Sequence, residues 1–109
     1  MSVKNDPVHN LAEALELLER HVSILRTVKT NQPIGLIRLS EMTGIPKHRV
    51  RYSLKIMEQQ GIIIPTPDGA TVSDQYDDFM ADMAVSVEKF TEEVASLRDL
   101  LCHRSFRTP

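Results

Sequence analysis

A chain of 109 residues, 41% hydrophobic and 26% charged, has the proportions of one globular domain of ordinary size and is neither disordered nor built for a bilayer interior. No apolar run approaches the roughly 18 residues that a membrane-spanning helix needs, and the single cysteine, Cys102, can form neither an internal disulfide nor a cysteine-based zinc cage. The net charge of −2 conceals a segregation: between residues 20 and 60 eight cations face only Glu41 and Glu58, whereas between 68 and 101 nine acids face only Lys89 and Arg98. Nucleic-acid binding depends on where charge sits rather than on its sum, and a basic middle and an acidic tail element cannot both face phosphate. The opening MSVKNDPVHN lacks the apolar stretch of a secretory signal, which predicts a cytoplasmic protein.

From His9 to Lys29 apolar residues recur at helical spacing, with Leu11, Leu15, Leu18, Val22 and Leu25 on one stripe and Ala14, Leu17, Ile24 and Val28 on an adjoining one. Two apolar stripes imply two packing partners. Asn10 has the side chain of an N-cap, with Glu13 three residues on, and Asn31-Gln32-Pro33 is a stop because proline disfavours helix in the residue before it. A short second helix is expected between Ile34 and Thr43, ended by Gly44. Gly44-Ile45-Pro46 then reads as a tight turn into a third helix over about Pro46 to Gln60, since glycine tolerates positive φ and proline suits a helix start. Val50, Leu54 and Met57, with Ile45 in the turn, make its buried face; Lys47, His48, Arg49, Arg51, Tyr52, Ser53 and Lys55 make its polar face.

After Gly61 the period changes. Ile62-Ile63-Ile64 is strand-prone, Pro65 suits a strand edge or end, Thr66-Pro67-Asp68-Gly69 is a turn, and Ala70-Thr71-Val72 returns as a second short strand. Ser73 has the side chain of an N-cap for a last helix, with Asp74, Asp77 and Asp78 where a helix N-terminus favours negative charge. In that helix Tyr76, Met80, Met83, Val87, Phe90, Val94, Leu97 and Leu101 alternate steps of four and three, a seam sustained for more than three heptads. A core of this size cannot readily bury so long a seam, so the helix is expected to pack partly on the first helix and partly on its copy in a second chain. Residues 103–109 have no periodicity and are expected to fray.

The stretch from Leu39 to Ile63, LSEMTGIPKHRVRYSLKIMEQQGII, resembles the helix-turn-helix of small prokaryotic winged-helix transcriptional regulators. The order helix, helix, turn, helix, apolar strand, hairpin and terminal helix is similar to theirs over nearly the whole chain. The resemblance implies a mainly α fold with a small β-hairpin wing and long N- and C-terminal helices. It divides the single domain 1–109 into a winged helix-turn-helix core at 10–72 and a dimerisation helix at 73–103.

It also implies binding of double-stranded DNA; with the seam and the two-striped first helix, the expectation is a homodimer held by the C-terminal helix with help from the N-terminal one, with no cofactor and no membrane partner. An α-helix fits the major groove with its N-terminal side chains at base edges. Lys47, His48, Arg49 and Tyr52 are then the candidates for base contact, Arg49 being the best bidentate reader of guanine, and Arg51, Lys55 and Arg38 the phosphate clamps. Unlike the wing of many members, this one carries no lysine or arginine.

Other classes find less support in the residues. There is no phosphate-cradling glycine loop, nucleophile elbow or acid pair of an enzyme. His9, His21, His48 and His103 lack carboxylate or cysteine partners at metal-ligand spacing, and only His103 and Arg104 stand near Cys102 to activate its thiol. The alternative from a different class is a winged-helix protein-interaction module without DNA binding. A ligand-responsive repressor with a pocket between the first and last helices would need a polar cluster that the sequence does not supply.

Overall fold

The computed structural model describes residues 6–102; the expectations for the first five residues, for His103 and for the tail to Pro109 lie outside them. The elements are α1 (Pro7–Asn31), α2 (Leu36–Thr43), α3 (Lys47–Gln59), β1 (Ile63–Thr66), β2 (Gly69–Val72) and α4 (Tyr76–Cys102), so the fold is mainly helical with a two-stranded antiparallel hairpin, as the sequence predicts. The chain divides into two compact units between Gln75 and Tyr76.

In the first unit, α1 begins earlier than Asn10. Asp6 is the N-cap, its carboxylate accepting from the Val8 amide at 3.4 Å, and Pro7 occupies the first turn. Proline has no amide hydrogen to leave unsatisfied there and its φ is already helical, so the helix gains most of a turn. Asn10 is therefore interior, its amide donating to the Asp6 carbonyl at 2.9 Å. Burial on α1 follows position along the helix more than the two apolar stripes: towards its C-terminal end Ile24, Leu25 and Val28 are covered, with His21 beside them, whereas Leu11 and Leu15 are about half exposed.

The core is completed by Leu39 of α2, Val50 and Met57 of α3, and Ile34, Ile62, Ile63 and Ala70 around the hairpin. The inner face of α3 departs from the expected one at two positions. Leu54 is only half buried, and Ser53, expected on the polar face, is completely covered. Its hydroxyl shares a hydrogen bond with His21 Nδ1 at 2.9 Å, a partner 32 residues away that local spacing does not reveal. Each of these buried polar atoms satisfies the other.

The hairpin pairs Ile63 with Val72 and Thr66 with Gly69, leaving Pro67 and Asp68 at the tip. Its free edge is tied down on the β2 side: Ile34 exchanges two backbone hydrogen bonds with Ala70, at 2.8 and 3.1 Å, and Gln32 Oε1 accepts from the Val72 amide at 2.8 Å. Gly69 permits this approach. At φ 131° it adopts a conformation that L side chains rarely hold, and a Cβ there would lie 2.6 Å from the Ile34 carbonyl carbon.

Ser73 does not cap α4, which starts at Tyr76. Its hydroxyl donates to the Gly61 carbonyl at 2.7 Å and accepts from the Gln75 amide at 3.1 Å, closing the base of the wing. Asp77 and Asp78 do lie in the first turn of α4. That helix, taken by itself, runs 27 residues and buries none of them fully; Val87, Phe90, Val94 and Leu97 of the heptad seam are each about half exposed.

Within the packed unit, Gly69→Ala should cost roughly 1–3 kcal/mol and lower the thermal midpoint by several degrees, because the added carbon strikes backbone rather than a movable side chain. Burial, aided by the neighbouring Arg20 charge, holds the His21 imidazole below its ordinary pKa. A histidine kept neutral by the fold supports stability fully above the unfolded value of about 6.5, and that support is lost as the pH falls through the lowered one. Urea denaturation of the wild type should therefore show weakening between pH 7 and pH 5, with a shallower pH slope in His21→Leu. At constant pH 7.5, Ser53→Ala should cost about 1–3 kcal/mol by leaving the ring nitrogen unsatisfied.

Candidate nucleic-acid interface

The α2–α3 turn is held by short contacts rather than by sequence spacing alone. Gly44, at φ 76°, ends α2 in the left-handed conformation with its amide on the Ser40 carbonyl at 2.9 Å. The Ser40 hydroxyl reaches across to the Ile45 carbonyl at 2.7 Å, and the Thr43 hydroxyl accepts from the Ile45 amide at 3.2 Å. Pro46 follows at φ −57°, and its carbonyl accepts from the amides of both Arg49 and Val50 at 3.0 Å. The turn is thereby fixed before α3 starts, which sets the direction of α3 relative to α2.

With Val50, Ser53 and Met57 turned inward, about 100° per residue places His48, Tyr52 and Lys55 at the centre of the outward side, with Arg51 next to them. Lys47 and Arg49 lie on its two flanks. All six are exposed, as is Arg38, which stands apart from them on α2. Gln59 continues the line of His48, Tyr52 and Lys55 one turn further and is also exposed; its i+11 spacing from His48 is legible in the sequence and marks it as a further member of this side.

Arg49 has an acidic neighbour on another helix. Its Nη1 lies 3.8 Å from Glu16 Oε2 of α1, with the two side chains 48% and 67% exposed. The pair sits on an open groove of about 330 Å³ between α1 and the α2–α3 turn, lined among others by Glu19, Arg20, Thr43 and Ile45. Nothing in the sequence marks Glu16, because the contact joins residues 33 apart.

The wing offers little to an anion. Thr66 donates its hydroxyl to the Gly69 carbonyl at 2.7 Å and accepts from the Asp68 amide at 3.2 Å, so the tip presents an ordered turn whose one charged side chain is Asp68. Phosphate would meet like charge there, whereas the outward side of α3 from Lys47 to Lys55 carries four formal cations and no acid. No group of three or more metal-ligating side chains is found among the described residues, and no helix among them is long and apolar enough to cross a membrane.

No family model matches the chain. Over 88 residues, 81% of its length, it is 26% identical to the central glycolytic genes regulator of Priestia megaterium, of which it spans only a quarter. Among solved structures it is similar to the activation domain of the phage T4 transcription factor MotA, with a TM-score of 0.54 at 15% identity over 71% of this chain and 83% of that one. At that identity the likeness is one of fold: the arrangement of helices around a small hairpin is shared with a domain of a transcription factor.

Proposed function

We propose that the chain is a non-enzymatic transcriptional regulator that binds double-stranded DNA through α3, and that it does so as a homodimer joined along α4. The observation that carries this reading is the outward side of α3: cationic, exposed, and opposite an inner face locked into the core behind a tightly tied turn. A helix so presented can enter the major groove without rearrangement. Similarity to a protein named as a gene regulator supports the same role.

In this reading His48, Tyr52 and Arg49 face base edges with Lys47 beside them, and Arg51, Lys55 and Arg38 hold phosphates. The wing contributes little because its tip is acidic. The exposed Val87, Phe90, Val94 and Leu97 support pairing of α4 with a second copy, since an apolar seam of that length gains stability by leaving water. A two-fold dimer would present two α3 helices to half-sites about one helical turn apart.

Fluorescence anisotropy with a labelled duplex tests the DNA reading. Wild type should bind at 50 mM salt and weaken by about 10³–10⁵ in affinity by 200 mM if the dimer neutralises six to ten phosphates, and Arg51→Ala should reduce the salt slope by about one for each phosphate left without its cation. A wild-type protein that leaves every duplex unbound at low salt would instead make the winged helix a protein-docking module. For the dimer, sedimentation equilibrium should give twice the chain mass for wild type and the single-chain mass for Phe90→Glu/Leu97→Glu with helicity retained; a monomeric wild type at tens of micromolar would rule out pairing along α4.

A further inference from the structure

The Glu16–Arg49 contact joins the flank of α3 to a helix that has no other part in the proposed interface. Both side chains are largely exposed, so the pair is weak and exchangeable. A permanent structural bridge would be buried and hydrogen-bonded, whereas this one lies at the mouth of an open groove. Its guanidinium is the cation of α3 nearest the turn after Lys47, where an approaching duplex would meet the helix first.

We propose that Glu16 is a positioning residue that competes with DNA phosphate for Arg49, keeping this guanidinium off nonspecific backbone. The proposal rests on the reading of α3 as the DNA-binding helix. In the free protein the Glu16 carboxylate draws the Arg49 side chain toward α1. A duplex that offers only a phosphate at this point must displace one anion with another and gains little. A guanine offers two acceptors in a geometry that a guanidinium matches with both of its arms, so the same displacement yields a net gain there. Glu16 thereby lowers the background of nonspecific binding. Glu19 lines the same groove and carries the same charge, but the ion pair with Arg49 is made by Glu16.

The test is a double-mutant cycle on the full chain, read by anisotropy with a random-sequence 30-base-pair duplex at 50 mM salt, with thermal unfolding confirming that each variant folds. Glu16→Gln should bind about two- to fivefold more tightly than wild type, the range expected for release from an exposed ion pair, and its salt slope should steepen by about one for each Arg49 that gains a phosphate. In an Arg49→Ala background the same Glu16→Gln change should have no effect, and Glu19→Gln should give a smaller gain than Glu16→Gln. The proposal is overturned if Glu16→Gln binds no more tightly than wild type. It is equally overturned if the gain survives in Arg49→Ala or is matched by Glu19→Gln, since the effect is then general charge repulsion. A wild type that binds no duplex at all brings down the DNA reading itself, an outcome distinct from both because it precedes any substitution.

Discussion

The hold of α1 on the inner face of α3 is the constraint on which the exposed chemistry depends. Val50 and Met57 are fully buried, and between them Ser53 shares its hydroxyl with the His21 ring at 2.9 Å. Apolar burial is non-directional and would tolerate some rotation of α3 about its own axis. A buried hydrogen bond with one geometry is less tolerant, because rotation would strand two polar atoms away from water. The same contact that fixes which side of α3 is buried therefore fixes which side carries His48, Tyr52 and Lys55 to solvent. Because burial favours the neutral imidazole, the stability of this anchor falls as the pH drops.

Around this anchor hydrogen bonds aim the elements as well as stabilise them. Ser40, Thr43 and the Pro46 carbonyl fix the α2–α3 turn, while Gly69, Ile34 and Gln32 fix the hairpin against the end of α1. At the far end of α3 the Ile62 amide donates to the Met57 carbonyl at 3.0 Å, just before β1 begins. The helix is thus held at its start by the turn and at its end by the residue that leads into the strand, with the core beneath it.

Charge is distributed to match. The outward side of α3 is cationic as far as Lys55, the wing tip and α4 are acidic, and the two signs touch across elements where Glu16 meets Arg49. Helix geometry alone centres the outward side on His48, Tyr52 and Lys55 and leaves Arg49 on the flank beside that acid. By residue type Arg49 is the cation best suited to guanine, and its position on the flank sets it within 3.8 Å of an acid from another helix.

Local periodicity and turn chemistry determined most of the architecture. The period of 3.6 defines the helices, the Gly44 and Pro46 pair defines the turn, and the isoleucine run with Pro67-Asp68-Gly69 defines the hairpin, because each of these signals acts between residues a few positions apart. The expected extents slip where a local rule has a stronger competitor nearby: Asp6-Pro7 outcompetes Asn10 at the start of α1, and α4 starts at Tyr76, with Ser73 donating to the Gly61 carbonyl and accepting from the Gln75 amide ahead of it. What only the tertiary structure decided was the fate of polar side chains. Ser53 is inside because His21 is there to receive it, and Arg49 meets Glu16 because α1 passes the turn, contacts between residues 32 and 33 apart that no periodic pattern encodes. Repetition of apolar residues proposes a buried side, which α1 takes up only towards its C-terminal end, whereas burying a polar residue costs free energy unless a partner elsewhere in the chain satisfies it.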